Sequence, residues 1–102
     1  MKKCCEDYMR EQFGDDAEII AEIYGEYVKS AGEKAAEAEQ ALAALDWHTL
    51  DRAAHTLKGN ALSVGDEDLA KTAIELRKAA ALESEDNCRE MLGYIKELLG
   101  TL

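Results

Sequence analysis

The chain has 102 residues, 47% hydrophobic and 33% charged, with no proline and a net charge of −10. That is the length of one domain with apolar content enough for a single core, and the composition is globular rather than disordered. The acidic surplus excludes DNA, RNA and anionic membrane surfaces as partners, and no apolar stretch approaches the roughly 20 residues needed to span a bilayer.

Abundant alanine, leucine and glutamate without proline predict helices almost throughout. A short first helix is expected from about Cys5 to Gln12, with Tyr8 and Met9 inward, Phe13 packing just beyond and Gly14 ending it. Asp15 and Asp16 are suitable N-caps for a second, long helix from about Ala17 to Leu45. Steps of three and four give it an inward stripe: Ile19, Ile20, Ile23, Tyr24, Tyr27, Val28, Ala31, Ala35, Ala38, Leu42 and Leu45. The glutamates of this helix fall mostly on the solvated side.

Asp46 caps a third helix, about Trp47 to Ser63, and Gly65 is placed to end it in the left-handed conformation. A fourth helix follows Asp66, with Glu67 and Asp68 in its positive first turn and Leu69, Ala73, Leu76 and Ala80 as its stripe. Ser84 caps the last helix, lined by Cys88, Met91, Leu92, Ile95, Leu98, Leu99 and Leu102. Connections this short make neighbours antiparallel. The expected fold is all-α: an antiparallel up-and-down four-helix bundle with a short extra N-terminal helix, in one domain over residues 1–102.

Cys4, Cys5 and Cys88 are odd in number and match no zinc spacing, so all three read as reduced thiols. Cys88 reads as a small core residue, and Cys4 and Cys5 as part of a frayed end. The sequence Met1-Lys2-Lys3-Cys4-Cys5 lacks the apolar region of a secretion signal, which points to the cytoplasm. A start at Met1 and an end just past the last helix suggest a free-standing, monomeric module.

The run from Ala53 to Gly65 carries the chemistry. At 100° per residue, Leu50, Ala54, Leu57, Ala61 and Val64 cluster within about 40° of one direction, the core. His55 lies about 140° from it, Gly59 about 180°, Leu62 about 120° and Lys58 about 80°. An imidazole, a cation whose stem reaches the surface, and a gap in the side-chain wall are thus neighbours on the solvent side. Lys58 can offset the roughly −1.5 to −2 charge of a phosphoryl group, which mid-helix finds no free backbone N–H. Gly59 costs the helix about 1 kcal/mol relative to alanine, and a notch beside His55 would let a partner approach the ring. Exposed Leu62 suits an apolar docking patch.

This stretch resembles the motif of histidine-containing phosphotransfer (HPt) domains, in which a histidine is followed after two residues by lysine and glycine and later by a second glycine. His55, Lys58, Gly59, Asn60 and Gly65 fill that pattern, with Asn60 and Gly65 supporting the motif. Phe13-Gly14, Asp46-Trp47 and the stretch from Leu69 to Ala80 also look like that family, so the likeness covers essentially the whole chain. The resemblance implies that phosphorylated His55 relays a phosphoryl group between receiver-domain aspartates in multistep two-component signalling. It implies receiver domains of response regulators or a hybrid sensor kinase as partners; His48, Asp51, Arg52 and Leu62, on the same helix, read as a docking surface for them. It also implies no intrinsic cofactor, with the magnesium ion on the receiver. No Gly-rich phosphate loop and no kinase signature accompany it, so self-phosphorylation from ATP is not expected.

Two other functions fit parts of the pattern. His48, Asp51 and His55 are spaced by three and four on one helix face and could chelate zinc or copper. A bundle that docks to receivers without accepting phosphate would be an adaptor, although it would need neither Lys58 nor Gly59. The acidic run Asp66-Glu67-Asp68 reads as capping and solvated, or as a rim that repels some acidic receivers.

Overall fold

The computed structural model describes residues 1–102 and contains five helices: α1 (Lys3–Phe13), α2 (Ala17–Ala43), α3 (Trp47–Ser63), α4 (Glu67–Ala81) and α5 (Glu85–Leu99). Helices α2 to α5 form the antiparallel four-helix bundle, α1 packs on α2, and the particle is elongated, 44 × 20 × 18 Å. No helix is long and apolar enough to cross a membrane.

One local device repeats at three of the four connections. At the end of α2 the Asp46 N–H donates to the Ala41 carbonyl and the Leu45 N–H to the Leu42 carbonyl. Asp66 and Gly65 repeat this pairing on Ala61 and Leu62 at the end of α3, and Ser84 and Glu83 on Ala79 and Ala80 at the end of α4. This is the Schellman closure, which needs one residue in the left-handed region. Gly65 adopts it at φ 75°, but Leu45 (φ 54°) and Glu83 (φ 52°) adopt it without glycine's freedom. In each case the next residue starts the following helix. The Asp46 carboxylate accepts from the Thr49 N–H at 3.2 Å and from the Thr49 hydroxyl at 2.6 Å. Asp16 likewise accepts from the Ile19 N–H at 3.2 Å. Ser84 occupies the N-cap position of α5 as expected, yet its side chain makes no cap hydrogen bond.

The closure corrects the end of α2. The helix stops at Ala43 rather than Leu45, and Leu45 is turned out, 50% exposed. Ile19 and Val28 also stand in solvent rather than in the core. Helix α2 is about 40 Å long at 1.5 Å per residue, well beyond its 15- to 17-residue neighbours. The end of α3 reaches only to Ser30, and the start of α4 only to Tyr27. The first turns of α2 therefore have α1 as their main cover, too little to bury Ile19 as well. Phe13, expected to pack, is 44% exposed at the end of α1. Elsewhere the expected stripes form the interior, widened by Ala41, Ala53, Ala70 and Ala79, which the stripes left out, while Ile23, Leu42, Met91, Leu98, Leu99 and Leu102 are only half-buried against it. Leu50, Ala54, Leu57, Ala61, Val64, Leu69, Ala73, Leu76, Ala80, Cys88, Leu92 and Ile95 are buried in one cluster.

The N-terminus is not frayed. Helix α1 begins at Lys3, Cys5 is fully buried, and Cys4 is exposed with its Sγ 4.0 Å from that of Cys5. What holds α1 is Asp66, which is neither solvated nor part of a rim. Its carboxylate is completely buried and accepts from the Lys2 ammonium (3.1 Å), the Tyr27 hydroxyl (2.7 Å) and the Leu69 N–H (3.3 Å). Burial, and then the bond to Asp66, push the Tyr27 phenol far above its ordinary range. Burial, with Asp66 next, pushes the Cys5 thiol up to about 12. Gly65 lets α1 approach: a Cβ there would lie 2.5 Å from the Cβ of Tyr8.

Candidate functional site

The site lies on the outer face of α3 where it runs alongside α4. Asp46 starts α3 and Gly65 ends it, so the helical register between those caps decides which side chains face outward. His55 is exposed, as the projection requires. Lys58 is half-buried and engages no carboxylate within ion-pair distance, so its ammonium is free. Gly59 is exposed, and a Cβ added there would meet nothing within 4 Å. Packing therefore does not require a glycine at this position. Leu62 is 53% exposed, and His48 and Arg52 also stand in solvent on the same helix.

The two motif-supporting residues have structural work. The Asn60 amide donates to the Ser30 hydroxyl at 2.7 Å, tying α3 to α2. Gly65 supplies the left-handed turn and the room for Tyr8.

Asp51 is not a free docking or metal-binding group. Its carboxylate accepts from Arg77 on α4, from Nε at 2.9 Å and from a terminal nitrogen at 3.4 Å. The bond to Arg77 holds the Asp51 carboxyl below the usual carboxylate range, and Asp51 in turn raises the already high value of Arg77. The other terminal nitrogen of Arg77 lies 3.1 Å from Nδ1 of His55. With both carboxylate oxygens on a guanidinium, Asp51 is a poor partner for His48 and His55 in a metal site. The one set of three candidate ligand atoms within 4.8 Å of one another is Cys4, Cys5 and Asp66, and Asp66 there is already bonded to Lys2 and Tyr27.

Arg77 is the site residue that sequence reasoning missed. It interrupts no periodicity and belongs to no local motif, so nothing near it in the chain draws attention. Hairpin geometry carries the only signal: folding α3 back along α4 about Gly65 lays Glu75 to Lys78 beside His55, and Arg77 is the residue there with a planar fork of donors.

An exposed imidazole, a free ammonium, an open notch and a guanidinium pinned by a carboxylate thus meet where α3 runs alongside α4 in a four-helix bundle. A family model, the Hpt domain, matches residues 22–102. The chain belongs to the HPt domain family, whose members carry a phosphoryl group on histidine in phosphorelay signalling and are phosphocarriers rather than kinases. They work with receiver domains of response regulators or with kinases. Searches of curated proteins and of solved structures gave no significant match.

Proposed function

We propose that this protein relays a phosphoryl group between receiver-domain aspartates through His55. What carries the reading is the exposed His55 ring with the free Lys58 ammonium and the open Gly59 notch on one face of α3. In this reading His55 is the acceptor, its outer ring nitrogen attacking the aspartyl phosphate of a receiver. Lys58 offsets the charge of the phosphorylated ring, and Gly59 lets the receiver's active site reach it. Leu62, His48 and Arg52 surround the contact, and Asp51 acts at one remove, through Arg77.

The receiver brings the magnesium ion and most of the transition-state stabilisation, so the protein needs no resident cofactor and has no kinase activity of its own. It works as a cytoplasmic monomer, with a response regulator or a hybrid sensor kinase on either side of the transfer.

The test is incubation with a phosphorylated receiver domain and magnesium. The expected product is acid-labile, alkali-stable label on the wild type and none on His55→Gln. Absence of label with several active receivers that still bind the protein would leave an adaptor instead.

A further inference from the structure

Arginine has five N–H donors and no acceptor. A guanidinium nitrogen 3.1 Å from Nδ1 of His55 can therefore bond only if Nδ1 presents its lone pair. The bond made by one ring nitrogen decides which nitrogen carries the proton. A neutral His55 held this way has its proton on Nε2, the nitrogen free to meet a partner. Asp51 fixes the geometry: it takes Nε and one terminal nitrogen of Arg77 side-on, leaving the other terminal nitrogen aimed at the ring.

We propose that Arg77, pinned by Asp51, is a positioning residue that clamps Nδ1 of His55 as an acceptor, restraining the free ring from taking a phosphoryl group and protecting the phosphorylated ring from losing it. The proposal rests on phosphotransfer at His55 and adds the control of that step.

For transfer into the ring, Nε2 must present a lone pair. Arg77 has to release Nδ1, and the proton moves from Nε2 to Nδ1 through water. Nε2 attacks phosphorus; the N–P bond forms as the bond from phosphorus to the donor's carboxylate oxygen breaks, and that carboxylate leaves with the electron pair. The Nδ1 proton departs to water, and Nδ1 can again accept from Arg77. In the phosphorylated ring this contact opposes return of a proton to Nδ1, the change that makes the imidazole a good leaving group.

The first measurement is the long-range proton–nitrogen spectrum of the His55 ring in 15N-labelled protein at a pH where the ring is neutral. The wild type should show an unprotonated Nδ1 and a protonated Nε2. Arg77→Gln, whose carbonyl oxygen can accept, and Arg77→Ala should move the proton towards Nδ1, and Arg77→Lys should partly restore the wild-type pattern. The second measurement phosphorylates His55 chemically with phosphoramidate, without a partner, and follows the 31P signal. Phosphorylation and subsequent hydrolysis should each be about fivefold faster in Arg77→Ala, the factor that one net hydrogen bond of about 1 kcal/mol commands.

Identical ring spectra in wild type and Arg77→Gln, or phosphorylation and hydrolysis rates unchanged in Arg77→Ala, would overturn the clamp. If phosphorylated receivers label no version of the protein while the ring spectra still follow residue 77, the clamp stands and the relay fails.

Discussion

Two clusters in this bundle have the same parts and opposite settings. Asp66 gathers Lys2 and Tyr27 out of contact with water, while Asp51 gathers Arg77 and, through it, His55 at the surface. The first joins α1, α2 and the start of α4; the second joins only α3 and α4. Burial makes every bond of the first cluster costly to break, because each partner left behind is an unpaired polar group without solvent. Exposure makes the second inexpensive to rearrange. A carboxylate–cation pair is thus a staple in one place and an adjustable clamp in the other, and solvent decides which. The staple also fastens a helix that lies outside the matched family region, residues 22–102.

The sharpest way to break the comparison is to delete each carboxylate. Asp66→Ala should cost about 3 kcal/mol, leaving Lys2 and Tyr27 unpaired and α4 without its cap. Asp51→Ala should cost about 0.5 kcal/mol, as exposed pairs do. Urea unfolding followed by circular dichroism gives both numbers, and equal losses would erase the distinction.

The glycines make a second pair. Gly65→Ala should destabilise by about 2 kcal/mol or more, since the backbone is left-handed and Tyr8 blocks the new methyl group. Gly59→Ala should instead stabilise by about 1 kcal/mol, an alanine in open helix. Thermal unfolding reads both. A bulkier Gly59→Gln should keep the fold and lose transfer from a receiver, which separates access from stability.

A smaller effect concerns acid. The hydrogen bond from Arg77 holds the folded-state carboxyl of Asp51 below the ordinary aspartate range, so the pairing stabilises fully above that range and is lost as pH falls through the lower folded value. Carboxyl NMR titration should find Asp51 protonating at lower pH than an ordinary aspartate, and returning upward in Arg77→Ala. The thiols give the last contrast: with Cys5 buried and raised to about 12, iodoacetamide should modify Cys4 long before Cys5, as peptide mass analysis would show.

Much of this molecule is written in local pattern. The 3.6-residue spacing of α3 and α4 picked out most of their buried residues, missing the flanking alanines Ala53, Ala70 and Ala79; Asp46 and Gly65 marked the ends of α3, and the same periodicity put His55, Gly59 and Leu62 outside. Those features follow from one helix and its caps, and short-range geometry is enough. Pattern failed where a neighbour was needed. The stripe of α2 is as regular at Ile19 as at Ala31, yet only Ala31 is covered, because the helix outruns its partners. Leu45 and Glu83 take left-handed turns that their side chains disfavour, because the bundle sets where each helix must stop.

The sequence by itself determined that the chain is helical, where α3 and α4 run, and that an imidazole, an ammonium and a notch share one open face, since all of these depend on residues within a turn or two of each other. Only the tertiary structure decided that Asp66 sits dry beneath α1 and that Arg77 reaches across to His55. Both depend on distant residues meeting, and the depth at which they meet sets how strongly water competes for their charges.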